Sequence, residues 1–90
     1  MTKQETNVQR LLELGWAETP SAEPTCRTFV RAGLEADAWE DGTVDVSTSS
    51  GKLLNLRSSA GVDAALQDAL DRCKEQVAAH SAALAALEAL

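Results

Sequence analysis

Apolar positions along this chain change period twice, and the changes divide it into helix, sheet and helix. Val8, Leu11 and Leu12 recur at the spacing of one helical face. Thr2 with Glu5 fits a capping box that closes the first orphan amides, and Gly15 stands where a helix usually stops. A short helix is therefore expected over about residues 3–14. Trp16, directly after it, is expected in the core, its ring over the helix end and its N–H on a carbonyl. Pro20 and Pro24 among small and polar residues mark 17–25 as an extended loop. Cys26 to Ala32, centred on Thr28, Phe29 and Val30, has strand composition and is broken by Gly33.

Leu34–Trp39 and Thr43–Thr48 predict a hairpin around Glu40-Asp41-Gly42. A two-residue Asp-Gly turn pairs Trp39 with Val44 but sets Asp37 beside Val46. A three-residue loop, with Gly42 left-handed, pairs Ala38 with Val44 and Ala36 with Val46. The second keeps the apolar set on one face and is preferred. Ser49-Ser50-Gly51 reads as the next turn, and Lys52 to Arg57 as the last strand, with Leu54 and Leu56 inward. The sheet, over about residues 26–57, is expected to be a three- or four-stranded antiparallel meander.

From about residue 61 to 90 everything reads as helix, with Ser58 or Ser59 as cap and Asp63 suited to the dipole. Leu66, Leu70, Cys73, Val77, His80, Leu84 and Leu87 alternate at spacings of four and three, the a/d seam of a heptad repeat. The fold class is α+β in one domain over residues 1–90, ordered helix, antiparallel strands, long helix. Such a helix spans about 43 Å, whereas a six-residue strand covers about 20 Å. The sheet can cover only its first half. The second half must pack on the first helix, on a partner chain, or on nothing, and a homodimer through Cys73, Val77, His80, Leu84 and Leu87 is the favoured alternative.

Composition narrows the chemistry. Hydrophobic residues make up 44% of the chain, but much of that is Ala, which packs closely and buries little area. Fourteen acids against eight bases leave a net charge of −6, which argues against nucleic acid or an anionic membrane as a direct ligand. A basic protein surface is the compatible partner. The polar start Met1-Thr2-Lys3-Gln4-Glu5 lacks a secretory pattern, no run approaches a membrane span, and a bacterial cytoplasm with reduced thiols is the expected setting. Two cysteines and one histidine fall short of a structural zinc set, so neither metal nor cofactor is expected.

Candidate catalytic groups are few. His80 is the sole histidine and lies about 10 Å along the helix from Cys73, too far for a nucleophile–base pair. Both are expected to pack, as is Cys26. Gly15, Gly33, Gly42, Gly51 and Gly61 sit one per element junction and form no phosphate loop. An enzyme is not expected. Instead, Glu35, Asp37, Glu40, Asp41 and Asp45 form an acidic run without a base. The preferred register puts Glu35, Asp37 and Asp45 outward beside Trp39, with Asp37 opposite Asp45 at a like-charge cost. Carboxylates two apart on a strand are about 6.6 Å apart, comparable with phosphates along a nucleic acid. Asp68, Asp71 and Glu75 add a second acidic line on the terminal helix, diluted by Arg72 and Lys74.

The order helix, strands, helix, with Leu11-Leu12-Glu13-Leu14-Gly15-Trp16 closing the first helix, resembles HicA-type toxins and the double-stranded-RNA-binding fold over roughly residues 8–75. The strand histidine those toxins use is replaced within Thr25-Cys26-Arg27-Thr28-Phe29, and their basic surface by an acidic one, so RNase activity is not carried over. Size, acidity and the hairpin Trp39-Glu40-Asp41-Gly42-Thr43-Val44-Asp45-Val46-Ser47 also resemble small phage anti-CRISPR inhibitors. That resemblance implies a DNA mimic whose contacts are Glu35, Asp37, Trp39, Glu40, Asp41, Asp45, Asp68, Asp71 and Glu75, blocking a nucleic-acid-binding groove. The rival expectation is a homodimeric scaffold or assembly module acting through the C-terminal helix.

Overall fold

A computed structural model describes residues 1–48 and 55–90. The chain is α+β, ordered α1 (Lys3–Glu13), β1 (Ala17–Thr19), β2 (Cys26–Arg31), β3 (Leu34–Trp39), β4 (Val44–Thr48), β5 (Asn55–Ser58) and α2 (Val62–Glu88). The strands form one antiparallel sheet in sequential order, β1 to β5. Ser49-Ser50-Gly51, Lys52 and Leu54 lie outside the described residues.

Local signals explain the first element. The Glu5 amide donates to Thr2 Oγ1 at 3.0 Å, capping α1, and the Thr2 hydroxyl lies 3.2 Å from Glu5 Oε1. Gly15 ends it at φ 86°, with Trp16 N–H reaching back to the Leu11 carbonyl at 3.0 Å and Gly15 N–H to that of Leu12 at 3.1 Å. Trp16 is buried as expected. Leu12 is a correction: it is 51% exposed, and Asn7 takes the buried place beside Val8 and Leu11. Its amide donates to the Gly42 carbonyl at 3.1 Å, while Gln4 donates to that of Ala38 at 3.0 Å. The helix is pinned to the β3–β4 loop by these bonds. An apolar count along the sequence misses such polar anchors.

Part of the expected 17–25 loop instead forms strand β1, which pairs with β2 through Ala17↔Val30 and Thr19↔Thr28. The β2–β3 connection is a two-residue turn, with Ala32 at φ 51° and Gly33 at φ 79°. Two positive φ values match the twist of a tight hairpin, but Ala holds this conformation at a cost that Gly avoids. Ala32→Gly is expected to raise the unfolding free energy by roughly 0.5–1 kcal/mol, seen as a higher midpoint in urea. A lower midpoint would mean the turn is not of this type in solution.

The β3–β4 hairpin takes the three-residue loop, with Ala38↔Val44, Asp37↔Asp45 and Ala36↔Val46 opposite one another and Gly42 at φ 89°. The inner face consequently reads Phe29, Ala36, Val46 and Leu56 across four strands. Val8, Leu11 and Trp16 pack on that face, as do Val62, Ala65 and Ala69 from α2. Small residues on both sides let α2 lie close to the sheet. Its start is capped at Gly61 without a side-chain bond, which corrects the expected serine cap: Ser58 belongs to β5, and its hydroxyl accepts from the Ala60 amide at 3.2 Å.

Candidate functional site: an open sheet face and a free helix

Two surfaces remain once the core is assigned, the outer face of the sheet and the far half of α2. On the outer face the register builds one cross-strand row, Thr28–Asp37–Asp45–Arg57. The opposed Asp37 and Asp45 are relieved locally. The Thr28 hydroxyl donates to Asp37 Oδ1 at 2.7 Å, and Trp39 Nε1–H donates to Asp45 Oδ2 at 2.8 Å. Arg57 Nε lies 3.5 Å from Asp45 Oδ1, Nη2 lies 3.5 Å from Asp41 Oδ2, and the guanidinium stands 5.1 Å from the centroid of the half-buried Trp39 ring. The Asp41 carboxylate accepts from the Thr43 amide at 2.9 Å and hydroxyl at 2.6 Å, and these bonds hold its pKa below the usual value. Asp41 thus shapes the turn.

Glu35 shares the face and is flanked by Val30 on β2 and Ser47 on β4. Burial, then the nearby Asp37 charge, push its pKa upward. Glu40 is exposed in the loop. The remaining expected contacts lie elsewhere. Asp68, Asp71 and Glu75 are exposed on α2, which packs on the inner face of the sheet, so they look out from the opposite side of the molecule. Asp71 accepts from Gln67 Nε2 at 3.0 Å. The acids therefore form two separate sets, and in one of them Arg57 offsets Asp41 and Asp45. Sequence reading missed Arg57 as a member of this group. Its one signal was the inward Leu56, which turns the next residue outward.

The second surface is α2 beyond Gln76, where every residue is exposed. Arg10 Nη2 on α1 pairs with Asp63 at the start of α2 at 3.0 Å, whereas packing of the far half on α1, one of the expected alternatives, buries none of the residues beyond Gln76. Val77 is 65% exposed, Leu84 58% and Leu87 67%, on the expected seam. Leu70, placed in the same seam, is half exposed because the buried line runs through Val62, Ala65 and Ala69, and successive helical residues point about 100° apart. Cys73 is half-buried against the core, whereas His80 is exposed. Cys73, Val77, His80, Ser81 and Leu84, with Thr48 at the end of β4, line a shallow, mostly apolar groove of about 430 Å³. The helix carries the molecule to 56 Å in length against 23 and 21 Å across.

Buried Cys26 lies near hydroxyls, its Sγ 3.4 Å from Ser21 Oγ and 3.7 Å from Thr28 Oγ1. Among the described residues no group of three His, Cys, Asp or Glu is placed to hold a metal ion, and no helix is long and apolar enough to cross a membrane. No family model, curated protein or solved structure matches this chain.

Proposed function

We propose that this protein is a non-catalytic homodimeric assembly module that acts through the C-terminal half of α2. One observation carries the reading. A helix of 27 residues outruns the sheet and holds Val77, Leu84 and Leu87 more than half exposed on one stripe, where Thr48 is the one described residue outside α2 that lines the groove beside them. An isolated amphipathic helix gains little from its own hydrogen bonds, and most helical stability in proteins comes from packing of the apolar face. Association supplies that packing, and a contiguous apolar stripe of this kind marks an interface. The expected result is a dimer in sedimentation equilibrium at tens of micromolar, dissociating on dilution. A monomer mass throughout the micromolar range removes the proposal.

A second reading keeps the sheet face as a working surface. Glu35, Asp37, Asp45 and Trp39 share one open face of the sheet, as an inhibitor presenting carboxylates to a cationic groove requires. It stands second because Arg57 already offsets Asp41 and Asp45, and because Asp68, Asp71 and Glu75 lie on the other side. Reversing Asp37 and Asp45 to Lys decides it. Capture of a purified basic nucleic-acid-binding complex should be lost, with α2-mediated association retained; undiminished capture ends the inhibitor reading.

A further inference from the structure

We propose that the occupant of the free α2 stripe is the same stripe of a second copy, running antiparallel about a two-fold axis beside Ala82. This rests on the assembly reading above and specifies its geometry. From Lys74 onward the heptad places Val77 and Leu84 at a, His80 and Leu87 at d, and Lys74, Ser81 and Glu88 at e. From Gln76 to Leu87 the helix has no carboxylate, Lys or Arg, so two copies meet without repulsion in the middle of the stripe. Lys74 and Glu88 are exposed, of opposite sign, and make no ion pair with a described residue.

These two charges select the orientation. In an antiparallel pair each a residue faces a d residue of the second helix, and e positions face e positions. Setting Val77 against the second copy's Leu87 and Leu84 against its His80 brings Lys74 beside its Glu88, twice by symmetry. The same register sets Ala83 against Ala83, which permits close approach. Shifting by one heptad either way removes the Lys–Glu pairing. A parallel pair leaves Lys74 and Glu88 about 21 Å apart along the axis and stacks His80 on His80. The overlap runs from about residue 74 to 90, beginning just before Gln76, the last partly buried residue of α2. The end of each helix then lies over the part of the groove lined by Val77 and His80 of the other. The two sheets are carried to opposite ends of a rod.

The test is a charge swap read on the dimerisation constant by sedimentation. Lys74→Glu alone and Glu88→Lys alone each turn two attractions into two repulsions and should weaken the dimer by about tenfold at low salt. The double variant Lys74→Glu/Glu88→Lys should return to within about twofold of the natural chain. Oxidative cross-linking gives an independent measure: Cys73 lies outside the overlap and should yield no Cys73–Cys73 disulfide. A dimer insensitive to both single reversals, a double variant as weak as the singles, or ready Cys73 cross-linking overturns the antiparallel register while leaving assembly through α2 intact. A natural chain that stays monomeric overturns both.

Discussion

Phe29→Ala should cost about 3–5 kcal/mol and leave this domain close to unfolded at 25 °C. Phe29 is wholly inaccessible to water and sits opposite Ala36 on β3, between the strands and both helices. Around it the core is built mainly from Ala and Val: Ala36, Ala38, Val44, Val46, Val62, Ala65 and Ala69. Such neighbours are short and cannot reach across the space a lost ring leaves, so most of the cavity persists. A domain of this size has about 5–14 kcal/mol of stability in all, and a thin core puts it toward the lower end. In urea the midpoint should fall by about 2 M or more. Fluorescence of the buried Trp16 provides the signal, read at concentrations where α2 is unpaired. Phe29→Leu keeps most of the volume and should cost under about 1.5 kcal/mol. A loss below about 1 kcal/mol for the Ala variant would show that this ring does not centre the core.

Leu84→Glu combined with Leu87→Glu should abolish association while leaving the fold untouched. Each leucine buried on pairing contributes about 1.5–3 kcal/mol, and a symmetric pair buries four of them, so a weakening beyond a hundredfold is expected. Within one chain the two side chains are more than half exposed, and Glu has good helix propensity. The urea midpoint of the monomer should therefore match that of the natural chain. This separates loss of the interface from loss of structure. Unchanged mass in sedimentation would place the self-association surface elsewhere. A monomer that also unfolds more readily would mean that the stripe packs on its own chain.

The two substitutions probe residues of similar chemistry with opposite fates, and the difference shows how far linear pattern reaches. Helix signals were readable because they are local. Thr2, Glu5 and Gly15 act within one turn of their own backbone, and the structure places the cap and the stop of α1 where their chemistry puts them. The β3–β4 register was readable too, since a slip of one residue would bury Asp37 and expose Val46. That the sheet covers only the first part of α2 followed from length, since a helix this long outruns a sheet of short strands; whether the rest packed on α1 did not.

Other features depended on partners far away in sequence. Strand β1 carries only three residues, and nothing in Ala17-Glu18-Thr19 marks it; the edge of β2 offers the hydrogen bonds that extend it, and Arg27 bonds Glu18 at 2.6 Å and 2.7 Å across the pair. Asn7 is buried because a carbonyl in the Gly42 turn meets it. The acidic run looked like a surface waiting for a cation because its own cation, Arg57, arrives from another strand. Periodicity, caps and turn chemistry were written in the chain itself, being properties of neighbouring residues. Which carboxylates stay uncompensated, and which apolar stripe stays bare, were decided by folding, since both depend on groups brought together across the sheet.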